Sequence, residues 1–485
     1  MLLQNTVFNL VGLGAPLLAA ICTIPMLIEG LGEDGFGALA LIWAVVGYFG
    51  LFDLGLGRAL TMRLAESAGR RNKADTGQMV GTAIVITMSI GIASGIILIL
   101  LSGPIISRIQ GIPDMNDASG ALFAMACALP FVVVTSCFRG ILEANGDFLI
   151  LNALRLPIGL FTFIGPWVLV FFGQTKLELI GGVLAAGRII GCIAYGWFAW
   201  RSLPCGIRVR LSFSEIGPLL TAGGWMTVSN VVSPLMNYAD RFLIGVIASA
   251  AAVTFYTTPQ EIVTKIWIVP AAVTAVLFPR IAEAGIARFR DRMRHTIWQS
   301  IATMVVFIYP PLLIMVLFAK KILSLWISPD FAAQSYFLLQ YFAIGMLVNV
   351  PANIPFTILQ GVGRAKSVAL VHLVELPLSL TLTWWLVSEF SLAGAGLSWL
   401  LRCVVDTMLM FWLARKLIFG SKISFTGPGF SIRMLTAILG LIPFVAILTP
   451  NLFIKGLFST TGIVVCAFAG YKIWVNRTRP ENVNI

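Results

Sequence analysis

The strongest constraint in this sequence is the recurrence of apolar runs long enough to cross a bilayer. Hydrocarbon offers no hydrogen-bond partner, so a backbone immersed in it must satisfy itself, and a helix does so. A helical span needs about 20 predominantly apolar residues. Fourteen such runs are read here, roughly 7–28, 36–57, 79–101, 120–138, 148–172, 179–200, 217–248, 253–279, 297–319, 332–359, 367–388, 392–414, 433–449 and 456–475. Of 485 residues 58% are apolar and 11% charged, and the mean hydropathy is +0.94, which no soluble domain approaches. The fold class is therefore all-α, a polytopic membrane protein. Prolines within the runs (Pro16, Pro130, Pro234, Pro270, Pro351, Pro355) are tolerable because neighbouring helices satisfy the freed backbone groups.

The runs are also duplicated. A shift of 217 positions carries Arg63-Leu64-Ala65-Glu66 onto Arg280-Ile281-Ala282-Glu283, Ile105 onto Ile322, and Ile141-Leu142 and Gly146 onto Ile358-Leu359 and Gly363. With a slip of three residues, Gly182, Arg188 and Arg201 meet Gly396, Arg402 and Arg415. The near-constant register predicts two six-helix lobes, 1–210 and 211–420, with two further helices in 421–485. Six spans per repeat is an even number, so both lobes should share one orientation, related by an axis along the membrane normal with a cavity between them.

Basic residues set the expected orientation. With the N-terminus in the cytoplasm, 24 Lys and Arg fall at inner ends or loops, among them Arg58, Arg70, Arg139, Arg155, Arg210, Arg288 and Lys472. Only five (Arg108, Lys176, Lys320, Lys321, Lys455) fall outside. That asymmetry predicts a multi-pass protein of the cytoplasmic membrane with both termini inside. It also accounts for the net charge of +12 through anionic membrane lipid, with no nucleic-acid partner. The first run lacks a basic segment before it and reads as a retained helix, not a signal peptide.

Several chemistries are set aside. The seven cysteines lie mostly within runs and form no CxxC, so neither a disulfide framework nor a metal site is expected. Two histidines, His295 and His372, are too few for a zinc cluster. Every loop is about 20 residues or shorter, leaving no room for a catalytic or nucleotide-binding domain between spans. Gly361-Val362-Gly363-Arg364-Ala365-Lys366-Ser367 lacks the spacing of a phosphate loop. The expectation is a protein that is not an enzyme and carries no cofactor.

Charges inside the runs are the candidate functional groups, because hydrocarbon solvates them poorly. Asp53 lies near the inner end of the second run, before Gly55 and Gly57, as a gate, a cap or a ligand contact. Run seven carries a stripe of Asn230, Ser233, Asn237 and the Asp240-Arg241 pair. Run eight carries Thr254, Thr257, Thr258, Glu261 and Lys265; run eleven His372, Glu375, Ser379 and Thr383; run twelve Ser398, Arg402 and Asp406. Glu261–Lys265 and Arg402–Asp406 either neutralise each other at i,i+4 spacing or face a wet interior. His372 is either a satisfied interior histidine or a proton relay. Arg188 has no acidic neighbour on its own run.

Fourteen runs in a six-plus-six plan resemble the multidrug/oligosaccharidyl-lipid/polysaccharide exporter superfamily. Phe36-Gly37-Ala38-Leu39, Asp53-Leu54-Gly55-Leu56 with Arg63-Leu64-Ala65-Glu66, and Asp240-Arg241-Phe242 followed by Tyr256 are similar to its polysaccharide flippase branch. That resemblance implies alternating-access movement of an undecaprenyl-diphosphate-linked oligosaccharide between leaflets, coupled to a proton or sodium gradient. It implies a polysaccharide polymerase and glycosyltransferases as functional partners. Under it, Arg188, Arg402, Arg241 and Lys265 are the expected cargo-binding groups, with Arg188 and Arg402 as a diphosphate-handling pair. Asp53, Asp240, Glu261, Glu375 and Asp406 are the expected gating and ion-coupling groups. Rival readings are a multidrug or small-molecule antiporter and a lipid II-type flippase of the same superfamily. A membrane glycosyltransferase or ligase would need a large outer loop.

Overall fold

The computed structural model describes residues 2–49, 55–68, 73–203, 210–271, 273–274 and 294–419. Among these, the regular elements are all helical: α1 (Leu2–Phe49), α2 (Leu56–Ala68), α3 (Lys73–Ile106), α4 (Met115–Ala144), α5 (Phe148–Phe171), α6 (Leu177–Ser202), α7 (Ile216–Ile247), α8 (Ala250–Thr264), α9 (Arg294–Trp326), α10 (Pro329–Asn349), α11 (Asn353–Gly361) and α12 (Ala365–Ala414). Eight helices of the described residues are long and apolar enough to cross a bilayer. Asp53, the segment Arg280–Glu283 and the two runs beyond residue 420 lie outside the described residues.

Two helices are longer than any span and break where the sequence separates its runs. α1 bends at Gly32, with φ 74°, between the runs read at 7–28 and 36–57. α12 bends at Ser391, with φ 50°, between 367–388 and 392–414. The run at 332–359 is interrupted by a 3-10 turn, Val350–Ala352, which separates α10 from α11. Pro351 sits in that turn and has no N–H to continue the α-helical ladder.

The chain divides into two compact units, Met1–Thr254 and Phe255–Ile485. In the first, Leu56, Leu60 and Leu64 of α2 pack with Met79 and Val80 of α3, Cys137 and Ile141 of α4, and Tyr195 of α6. The α2–α4 crossing is close because glycines face each other there: a Cβ on Gly140 would stand 2.5 Å from the Gly57 carbonyl oxygen. Thr61 seals the crossing, its Oγ1 lying 2.9 Å from the Gly57 carbonyl and 3.1 Å from that of Gly140. Asp117 of α4 accepts from the Leu177 and Glu178 amides at 2.6 and 2.8 Å, capping α6.

A second set of bonds ties α7 and the first residues of α8, up to Thr254, into the same unit. Asp34, just past the α1 bend, accepts from the Ala251 amide at 3.0 Å. Gln110 donates its amide to the Gly245 carbonyl at 3.2 Å and accepts from the Ala250 amide at 2.7 Å. Arg63 of α2 and Glu215, at the entry to α7, form an ion pair at 2.5 Å. Gly37 is required by contact, because any Cβ there would collide with the Ala250 carbonyl.

The second unit is organised on aromatics. Tyr256 is fully buried and meets Phe342 edge-on at 5.0 Å, and Phe342 meets Trp399 the same way at 5.1 Å. Ser335 donates to the Phe255 carbonyl at 2.7 Å, fixing α10 against the start of this unit.

Candidate functional sites

The first unit holds a cavity of about 310 Å³ whose charged lining is three arginines: Arg139 of α4, Arg155 of α5 and Arg188 of α6. Thr135, Ser136 and Tyr195 add hydroxyls to the wall, and among the described residues no carboxylate lines it. All three arginines are half-buried. Arg188 donates from Nη2 to Thr162 Oγ1 at 3.3 Å, and the Thr162 hydroxyl donates in turn to the Ile158 carbonyl at 3.0 Å. Among the described residues this hydroxyl, not a carboxylate, is its hydrogen-bond partner. The Arg139 Nε is buried and makes no hydrogen bond among the described residues. Glu143, one turn further along α4, is the acid whose field reaches Arg155.

Three guanidiniums around one cavity form a wall chemically suited to an anion. Each presents a planar fork that matches carboxylate or phosphate oxygens, and apolar walls weaken screening. Sequence reasoning singled out Arg188 but counted Arg139 and Arg155 among inner-loop charges. The structure seats Arg139 five positions before the end of α4 and Arg155 seven positions after the start of α5. The apolar run that ends near 138 gave no sign of this, because the continuation of α4 to Ala144 is seen only in the structure.

The second unit holds a polar cluster across the α12 bend. His372, Glu375 and Asp406 place a ligand atom each within 4.8 Å of one another. Asp406 accepts from Asn349 Nδ2 at 2.7 Å, and its other oxygen lies 3.7 Å from His372 Nε2. His372 stacks on Phe356 with ring centroids 6.0 Å apart. Glu375 is 4% exposed, and among the described residues neither of its carboxylate oxygens has a hydrogen-bond partner. Glu375 and Arg402 are the charged members of a cavity of about 450 Å³ otherwise lined mainly by leucine and valine. Thr383 and Ser398 face each other at 2.6 Å, joining the two limbs of the bend.

The remaining candidates are dispersed. Asp240 and Arg241 are both buried in α7, and the Arg241 guanidinium lies 5.5 Å from the Tyr238 ring centre. Glu261 and Lys265 form the i,i+4 pair at 2.9 Å, one quarter to one third exposed. Tyr256, which follows Asp240-Arg241-Phe242, is a core residue of the second unit.

An all-helical chain with charged clefts between its spans has the architecture of a membrane transporter, and comparison with known proteins agrees. A structure described as the inward-facing conformation of a multidrug resistance MATE family transporter of the MOP superfamily superposes with a TM-score of 0.70 at 14% identity, over 84% of this chain and 98% of that one. Lipid II flippase MurJ, in an inward closed conformation, gives 0.69 at 14% identity, over 98% of this chain and all of that one. The sequence matches the family described as "Polysaccharide biosynthesis protein" over residues 2–285 and the MatE family over 226–385. A Shigella flexneri protein named "Putative O-antigen transporter" is 30% identical over 419 residues, 86% of this chain and 98% of that protein. The chain belongs to the polysaccharide biosynthesis protein family, in the polysaccharide flippase branch of the multidrug/oligosaccharidyl-lipid/polysaccharide exporter superfamily.

Proposed function

We propose that this protein moves a lipid-linked oligosaccharide, carried on undecaprenyl diphosphate, between the leaflets of the cytoplasmic membrane by alternating access. The observation that carries the reading is the cavity lined by three arginines and, among the described residues, by no carboxylate. A diphosphate is the part of such a cargo least soluble in hydrocarbon, and guanidiniums replace its hydration with bidentate hydrogen bonds. An exporter of organic cations would gain nothing from this wall, which repels its cargo. Arg402, which the sequence register aligns with Arg188, is the second candidate, in a cavity it shares with Glu375. Asp240, Glu261, Glu375 and Asp406 supply the acids from which ion coupling would be built.

The test is export in a host deleted for its own flippase, read as surface polysaccharide normalised to membrane protein level. The parent chain restores the polysaccharide. The double variant Arg139→Gln, Arg188→Gln removes it while remaining in the membrane, and the Lys double variant retains part, because charge persists without the fork. Undiminished export by the Gln double variant refutes the cavity as the cargo site. Drug resistance without polysaccharide export would favour the antiporter reading instead.

A further inference from the structure

We propose that residues 210–215, which lead from the first repeat into α7, form a strap that closes a lateral door between α2 and α7 and must lift for cargo to enter. The strap is docked on three elements of the first unit. The Arg210 amide donates to the Gly77 carbonyl of α3 at 3.2 Å. Thr82, buried in α3, bonds Ser212 twice: its Oγ1 accepts from the Ser212 amide at 2.9 Å and donates to the Ser212 carbonyl at 3.2 Å. Glu215, where the strap meets α7, pairs with Arg63 of α2 at 2.5 Å. This close approach depends on a glycine, since a Cβ at Gly81 would stand 2.5 Å from the Arg210 carbonyl oxygen.

The docking is of a kind that can be undone. The outward side of the strap is uncovered: Arg210, Leu211, Phe213 and Ser214 are exposed, Phe213 by 80%. Its end is held by an ion pair whose side chains are 25% and 18% exposed, a contact that water and salt weaken. A segment with few buried contacts opens locally at low cost. Two bonds internal to the strap do not depend on docking: Ser212 Oγ to Ser214 Oγ at 2.7 Å, and the Glu215 amide to the Ser212 carbonyl at 3.1 Å. They keep its turn intact, so it lifts as one piece. The cargo gives this movement a purpose. A prenyl chain cannot leave hydrocarbon without exposing its apolar surface, so a headgroup tethered to it must enter sideways between helices. The strap sits at the ends of α2, α3 and α7 that the basic residues place on the cytoplasmic side. α2 also crosses α4 at Gly140, next in the chain to Arg139, which sets the door beside the arginine wall. That the door admits cargo rests on the flippase reading above; that the strap docks and lifts does not.

The full chain, in a background without its seven cysteines, tests the strap with no cargo present. Spin labels at Met62→Cys on α2 and Phe213→Cys on the strap occupy exposed positions, and pulsed electron resonance in lipid nanodiscs reads the distance between them. Two distances are expected, one docked and one lifted. Arg63→Gln should raise the lifted share about two- to fivefold. Gly81→Ala, which changes no charge, should make the lifted form the majority. A single distance that neither substitution moves overturns the proposal, and should Gly81→Ala fail to assemble, Arg63→Gln decides alone. The door is tested in liposomes with a Thr82→Cys, Ser212→Cys pair in the same background. Oxidation should stop the transbilayer movement of a fluorescent prenyl-diphosphate-linked disaccharide, and a thiol reductant should restore it. Undiminished movement with the strap cross-linked overturns the door. A reduced chain that moves none of this lipid refutes the flippase reading instead, and the two distances still establish the strap.

Discussion

Arg155 and Arg188 illustrate how a residue's meaning changes between sequence and structure. A guanidinium at mid-span, as at Arg188, stands out in the sequence because hydrocarbon penalises it by roughly 2.5–3.5 kcal/mol. Near a span end the same group looks like an ordinary anchor, and hydropathy cannot tell an arginine that leans into water from one that turns inward to line a cavity. Arg139 and Arg155 line the cavity, so each should matter as Arg188 does. A hydrogen bond to a charged group is worth about 1.5–3 kcal/mol. Arg155→Gln should therefore lower export about tenfold to a hundredfold at unchanged protein level, measured as surface polysaccharide per membrane protein. Glu261–Lys265 provides the contrast. At one quarter to one third exposure the pair contributes under about 1 kcal/mol. Lys265→Gln should leave the amount of folded protein unchanged, as read by detergent-extracted chromatography. An altered export level at constant abundance would assign that lysine a part in transport.

Whole elements were legible where one helix speaks for itself. The runs predict α3, α4, α5 and α6 within several residues, because hydrophobic continuity and span length act on each segment alone. The bends were legible only as gaps between runs, and their conformations were not. Gly32 suits its positive φ, whereas Ser391 adopts φ 50° with a Cβ that this region disfavours. Such a residue costs about 1–3 kcal/mol. Replacing Ser391 with Gly should therefore raise the midpoint of thermal unfolding in detergent by roughly 2–4 °C, after the glycine's own entropy cost of about 0.5–1 kcal/mol. An unchanged or lower midpoint would show that the bend is held without strain. The cluster of Glu375 with Asp406 was illegible for a related reason. Helical periodicity puts His372 and Glu375 on one face, and Arg402 and Asp406 on another, but only the bend brings the two limbs together. The closeness of α1 to α8 is similar: Gly37 sits in a motif recognised by sequence, yet its purpose, admitting the Ala250 carbonyl, is a tertiary fact. Gly37→Val should reduce membrane-assembled protein sharply, measured by blotting, while Ala38→Val should not do so by that contact.

For the molecule as a whole, the physical argument that remains is the one from charge. Lys and Arg flanking short loops are retained on the cytoplasmic side during insertion, and acidic residues contribute little to the choice. The count of 24 against five leaves one orientation strongly preferred. It places the segment after α2, with Arg70, Arg71 and Lys73, inside, together with the segment leading into α9, with Arg288, Arg290, Arg292 and Arg294. It places the α1 bend at Gly32 and the α9–α10 turn before Pro329 outside. These four points test more than orientation. Lys73 opens α3 and Arg294 opens α9, so a shared side means that an even number of spans separates them. An even count is what the expectation of parallel repeats requires. Reporter fusions after Lys73 and Arg294 should read cytoplasmic, and fusions after Asp34 and Pro329 external. A cytoplasmic reading at Lys73 with an external one at Arg294 would make the repeats inverted. It would also put Arg188 and Arg402 at opposite senses of the membrane normal, so the two could no longer serve as equivalent positions for an anionic cargo.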